Sequence, residues 1–432
     1  MSDQNMAFDL WARLGSEGKA PNELSYAAKV LPLYSVALEP WLNRLQTTYL
    51  RNLAQRGAHF KLVIAPYGGG KTHFLMATGA RALFEQFAVS YIACASDVNL
   101  ANSFEVYQSF IKNLQLPGSD KHGLLAFLRY CLHFKQDQIH ALQVPDPEAA
   151  FDLWLQEIAQ EEYPEPAFGR VLAAALRHQW QPEYASAGDA ACRWLRGEID
   201  TLTQGEREAL RLARISRRAQ NELGRNLLFS VIAFLKEIGL KGGVVLFDEV
   251  ETLFNARGRA LQRILAAMRV VLDQASGFTE NAPLFGLFAA VPDVLEQLTR
   301  YPAVEQRLAV RGASFAEGND FAPQIHLDKI EAPLPLLTEL GKKLLALGEE
   351  ARSHQFNAAL QEQNIKNLAK VATEFSLEID ARRLFVKACV NILDLQVQQG
   401  EREFSLEELR DRYQGYWRDL QRYEREQGDL EP

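Results

Sequence analysis

The stretch IAPYGGGKTHF, residues 64–74, decides how this chain is read. Its centre, Ala65-Pro66-Tyr67-Gly68-Gly69-Gly70-Lys71-Thr72, fits the phosphate-loop pattern G-x-x-x-x-G-K-[ST], except that alanine stands at the first glycine. FKLVI, 60–64, is a short apolar run that suits a buried parallel strand. HFLMATGARALFEQF, from residue 73 on, has apolar residues at helical spacing. The context is therefore strand, loop, helix, as the motif requires. Consecutive glycines let the backbone turn tightly and aim N–H groups at phosphate oxygens, and the helix adds its positive end. In this reading Tyr67, Gly68, Gly69, Gly70, Lys71, Thr72 and His73 line a nucleotide site. Lys71 reaches the β- and γ-phosphates, and the Thr72 hydroxyl holds Mg²⁺. Pro66 has no N–H to give, so the donors come from Gly68 onward. The alternative is a glycine-rich turn that merely precedes Lys-Thr.

A phosphate loop needs an acidic strand. GGVVLFDEVETLF, 242–254, supplies an apolar run ending in Asp248-Glu249. Asp248 would hold Mg²⁺ and Glu249 would polarise the attacking water as general base. Two acids in an exposed turn are the bland alternative. The adjacent pair suits proteins that hydrolyse ATP rather than small-molecule kinases.

The 432 residues are too many for one simple core. Three parts are expected: a helical segment over 1–59, an ATPase core over 60–330, and a helical lid over 331–432. Strands are read at 60–64, 88–96, 243–247, 283–291 and 323–327, alternating with helices, which implies a parallel sheet covered on both faces. Residues 101–235 read as almost wholly helical, an insertion of roughly 110 residues beyond short connections. A helix is read over 259–274, and Pro333 and Pro335 mark the start of the lid. Apolar content of 47% and charged content of 24% are ordinary for a soluble globular protein. No apolar run is long enough to span a membrane, and the N-terminal residues lack a signal pattern. Four widely spaced cysteines suggest reduced thiols in a cytoplasm, not a disulfide frame or zinc site. The net charge of −8 means that any nucleic-acid contact is a local patch.

Several arginines stand out. Arg300, Arg307 and Arg311 lie in TRYPAVEQRLAVRG. Arg307 first, then Arg311, suits a finger that faces the nucleotide of a neighbouring subunit, which implies a homo-oligomer. Arg382 and Arg383 in EIDARRLFVKA open an apolar helix, and one of them could report the γ-phosphate. Cations oppose the dipole there. Arg257, Arg259 and Arg263 in NARGRALQR, and Arg211, Arg214, Arg217 and Arg218 in REALRLARISRRAQNELGR, are candidates for gripping DNA phosphates. A solvated helix face interleaved with Glu206, Glu208 and Glu222 is the alternative for the second group. The fourth strand ends Ala289-Ala290-Val291-Pro292-Asp293, with no polar residue before the proline to position a water, which points to slow turnover.

APYGGGKTH together with LKEIGLKGGVVLFDEVETLF resembles the ATP-binding proteins of bacterial BREX phage-defence systems, of the short BrxD-like type. That resemblance implies an AAA+ type ATPase related to initiator and helicase-loader proteins. It gives Lys71 and Thr72 to phosphate and magnesium, Asp248 to magnesium, and Glu249 to water activation. Arg307 is the finger by position, and Arg382 or Arg383 the lid arginine. ATP and Mg²⁺ are the implied cofactors, and DNA and a helicase-like protein the implied partners. The departures are Ala65 and the apolar end of the fourth strand. Three functions follow as expectations: an ATPase assembling on DNA in phage defence, a nucleotide-gated scaffold with slow hydrolysis, and a helicase loader for replication or transposition.

Overall fold

The computed structural model describes residues 3–19, 23–55, 57–94, 98, 100, 102–181, 187–254, 283–299, 315–316, 318–327, 333–375 and 381–428. The architecture is α/β. Six strands form one sheet in the order β3-β2-β4-β5-β1-β6. They are β1 (Ala58–Ile64), β2 (Ala88–Ala93), β3 (Leu114–Gln115), β4 (Gly243–Asp248), β5 (Leu284–Ala290) and β6 (Gln324–His326). β2 and β4 pair in parallel, as do β4 and β5, while β3 runs antiparallel to β2 at the edge. Every residue of β4 is buried, as are the last six of β5. Such strands read as continuous apolar runs because helices cover both faces of the sheet. The Phe247 and Phe288 rings stack at 4.6 Å across the β4–β5 pair.

The chain divides into two compact units: residues 1–43, 63–78 and 325–432 in the first, and 44–62 and 79–324 in the second. In the first unit, α1 (Asp3–Glu17) and α2 (Leu24–Tyr34) join a helical bundle. α3 (Glu39–Arg44) follows α2, and α4 (Lys71–Phe84) leaves the glycine loop. Trp11 of α1 is fully buried, and its indole N–H donates to Asp394 at 2.8 Å.

The second unit carries the insertion: α5 (Ser103–Lys112), α6 (Leu124–Ala141), α7 (Pro147–Gln160), α8 (Phe168–Trp180), α9 (Gly188–Leu195), α10 (Gln204–Ala209) and α11 (Gln220–Glu237). Local chemistry sets these ends. Asn102 and Asp146 cap α5 and α7, and Thr203 with Glu206 forms a capping box on α10. α12 (Glu251–Phe254) follows β4, and α13 (Pro292–Thr299) follows β5.

The bundle of the first unit is completed by α14 (Pro333–Arg352), α15 (Ala358–Glu374), α16 (Ala381–Gln399) and α17 (Leu406–Gly428). Asp394 accepts both arms of the Arg352 guanidinium at 2.7 and 2.6 Å besides the Trp11 bond, so one carboxylate ties α1, α14 and α16.

The five strands expected from sequence are present, with ends moved by a few residues. The short β3 is an addition within a region read as helical. Residues 210–219, for which a helix face is one expectation, form turns and irregular backbone instead. All four cysteines are buried free thiols. No helix among the described residues is long and apolar enough to cross a membrane. The helix read over 259–274 lies outside the described residues.

Candidate nucleotide site

The glycine loop belongs to the first unit. β1 delivers buried Ile64 and Ala65, and α4 begins at Lys71. Between them the backbone needs what only glycine supplies. Gly68 and Gly70 sit at φ 67° and 86°, in the left-handed region. Gly69 is required for space: a Cβ there would lie 2.6 Å from that of Ala65. The Gly69 N–H donates to the Pro66 carbonyl at 3.0 Å and closes the turn. Alanine at the first position is compatible with this turn, since Ala65 is not among the positive-φ residues.

Lys71 is only 7% exposed. Its ammonium curls back over the loop, donating to the carbonyls of Ala65 at 3.1 Å and Pro66 at 3.2 Å. It also lies 5.2 Å from the centre of the Tyr67 ring, which is 72% exposed. Arg382, in the first turn of α16, donates to the Gly69 carbonyl at 3.0 Å. Arg383 turns the other way and donates to the Glu17 carbonyl at 2.8 Å. The structure therefore brings Arg382, and not Arg383, to the loop.

His73 packs against the end of α2. Its Nε2 lies 2.5 Å from the Ser35 hydroxyl, and its ring meets Tyr34 edge-on at 5.2 Å. The Lys343 ammonium donates to the Ser35 carbonyl. Burial, then the Arg382 and Lys343 cations, push His73 down to about 4, so it is neutral near pH 7. The sequence groups His73 with the loop but does not reveal Ser35 or Lys343, which reach it only through the fold.

The acidic pair belongs to the second unit. Asp248 ends β4 and is 1% exposed, whereas Glu249 is exposed. One Asp248 oxygen accepts from the Tyr91 hydroxyl at 2.8 Å and the other from the Glu249 N–H at 2.9 Å. Tyr91 comes from β2, the parallel neighbour of β4. Burial, followed by the Asp248 charge, pushes its phenol up, so the hydroxyl keeps its proton and donates. Its sequence signal is a tyrosine in a short strand that also carries Ser90, and that alone does not name a partner. Glu249 has φ 55°, a left-handed conformation costly for a side-chain-bearing residue. Thr252 holds the turn behind it, donating to the Glu249 carbonyl at 2.8 Å and to the Cys94 carbonyl. Burial and the charges of Asp248, Glu249 and Glu251 push the Cys94 thiol up to about 12, so it is no nucleophile at neutral pH.

The Thr72 hydroxyl and the Asp248 carboxylate are hard oxygen donors, the ligand type that Mg²⁺ takes. β5 ends in buried Ala289 and Ala290, and Asp293 stands exposed in the first turn of α13. Arg257, Arg259, Arg263, Arg300, Arg307 and Arg311 lie outside the described residues.

An α/β sheet whose strand feeds a glycine turn and a helix N-terminus is an architecture that binds phosphate groups. The chain belongs to the family of BREX system ATP-binding proteins BrxC/D, whose family model matches residues 31–411. That span includes the glycine loop, the acidic pair and Arg382. Neither curated proteins nor solved structures gave a match.

Proposed function

We propose that this chain is an AAA+ type ATPase of a BREX phage-defence system, which binds ATP with Mg²⁺ and turns it over while assembled on DNA or with a helicase-like partner. The observation that carries the reading is the buried Lys71 ammonium, folded over a three-glycine turn at the start of α4. The loop N–H groups and Lys71 would hold the triphosphate, with Lys71 exchanging its carbonyl partners for phosphate oxygens. Arg382 would do the same from α16, acting as the lid arginine. Thr72 and Asp248 would hold Mg²⁺, which neutralises charge on the phosphates. Glu249 would accept the proton of the attacking water, and Tyr91 would orient the Asp248 carboxylate. Arg307 or Arg311 would act on the nucleotide of a neighbouring subunit in a homo-oligomer.

A second reading, the nucleotide-gated scaffold, draws on the buried alanines that end β5. The same test separates the two. Fluorescent-nucleotide binding and steady-state hydrolysis are measured for wild type, Lys71→Ala and Glu249→Gln, with and without DNA. The ATPase reading expects Lys71→Ala to lose binding, and Glu249→Gln to keep binding while losing about 100-fold or more in turnover. Tight binding by wild type without turnover under any condition leaves the scaffold. Equal binding by wild type and Lys71→Ala overturns both.

A further inference from the structure

Residues 210–219 join α10 to α11 as an irregular segment. The stretch from 211 to 218, RLARISRR, carries four arginines and no acid in a chain of net charge −8. Arg211, Arg214, Arg217 and Arg218 are all exposed. Among the described residues, their side chains make no hydrogen bond or ion pair. Other arginines nearby do find partners: Arg193 pairs with Asp189 and Glu206, and Arg177 with Asp152.

The segment is nevertheless tied to the fold. Leu210 is buried, and Leu212 and Ile215 are half-buried. The Arg170 guanidinium of α8 donates to the carbonyls of Leu210 at 3.1 Å and Arg211 at 3.2 Å. Arg207 donates to the Leu202 carbonyl at 2.5 Å. Four repelling guanidinium groups are thus displayed from an anchored base, none of them held in an ion pair among the described residues.

We infer that this loop is a docking surface for the phosphate backbone of duplex DNA, engaged without regard to sequence. The loop's own chemistry selects that partner. A protein interface needs an apolar core, yet Leu210 is buried and Leu212 and Ile215 are half-buried, so this segment offers little apolar surface. Its fully exposed residues are the four arginines, Ala213 and Ser216, which suits binding driven by counterion release. The guanidinium fork matches phosphate oxygens. Residues 207–225 contain no aromatic residue, so the loop offers no platform on which single-stranded bases would stack. The inference deepens the DNA part of the proposed function and does not depend on the nucleotide site.

The test uses the full chain and two fluorescein-labelled duplexes of unrelated sequence, read by anisotropy across about 50 to 200 mM salt. The variants are R211Q/R214Q/R217Q/R218Q and the corresponding four-lysine replacement. Wild type should bind both duplexes alike. The glutamine variant should bind on the order of a hundredfold more weakly at the low-salt end, with a slope of log affinity against log salt shallower by about 3 to 4. The lysine variant should recover most of both. All three should melt at the same temperature and bind ATP equally. An unchanged slope in the glutamine variant overturns the inference, as does a wild type that binds no duplex. Displacement of duplex by polyglutamate at equal charge concentration would overturn it in favour of an acidic protein. Nucleotide binding, followed in the same samples and in Lys71→Ala, reports separately on the ATP reading.

Discussion

At the level of single residues, the two neighbouring arginines of α16 have different surroundings. Arg382 donates to the glycine loop, and Arg383 to the end of α1. A charge-assisted hydrogen bond to a phosphate contributes about 1.5–3 kcal/mol. Arg382→Ala should therefore weaken ATP binding by roughly tenfold or more, with little change in melting temperature. Arg383→Ala should leave ATP affinity alone and cost about 1 kcal/mol of stability. Isothermal titration and thermal melting of both variants check this; the opposite pattern would remove Arg382 from the site. The pair is legible in sequence as two candidates, but the choice between them is not. Adjacent helical positions point some 100° apart, and which one meets the loop depends on how α16 packs. Asp248 is legible because an apolar strand ends on it, whereas Tyr91 is hidden because its partner lies on the neighbouring strand, 157 residues away.

At the scale of elements, α5 and α11 make one of the closest packings in the second unit. Gly224 is the reason: a Cβ there would meet the Phe104 Cα at 2.3 Å and its N at 2.5 Å. Gly224→Ala gains about 1 kcal/mol of helix propensity. It also drives a methyl group into backbone that has no rotamer to yield, which costs about 1–3 kcal/mol and in such contacts more. The net effect should be a lower melting temperature, measurable by circular dichroism; a rise would show that α5 shifts freely. The sequence foretells α11 from its apolar spacing, and β1, β4 and β5 from runs too apolar to face water. It does not foretell β3, whose two residues are strand only because β2 presents an edge to them. The arginine segment is harder still. Its apolar residues anchor turns rather than line a helical face, and periodicity alone does not separate those cases.

For the molecule as a whole, His73 makes stability depend on pH in a definite window. In the unfolded chain it titrates near 6.5, and in the fold it is held down at about 4. Between those values the unfolded state binds the extra proton, so stability rises with pH. This contribution is fully present above about pH 6.5, is lost progressively as pH falls, and levels below about pH 4. A tenfold change in proton affinity is worth about 1.4 kcal/mol, so the full loss is about 3 kcal/mol. Denaturant titrations at pH 7 and pH 5 should show a steeper loss for wild type than for His73→Gln, and equal losses would place the acid sensitivity elsewhere. Glu249 carries a different consequence. Its left-handed backbone is a standing cost of about 1–2 kcal/mol that glycine or asparagine would relieve. A randomised library screened for heat resistance alone should drift toward those two residues at position 249. Each would discard the carboxylate proposed to take the proton from water, so the hardiest clones from such a screen would be those that had stopped spending ATP.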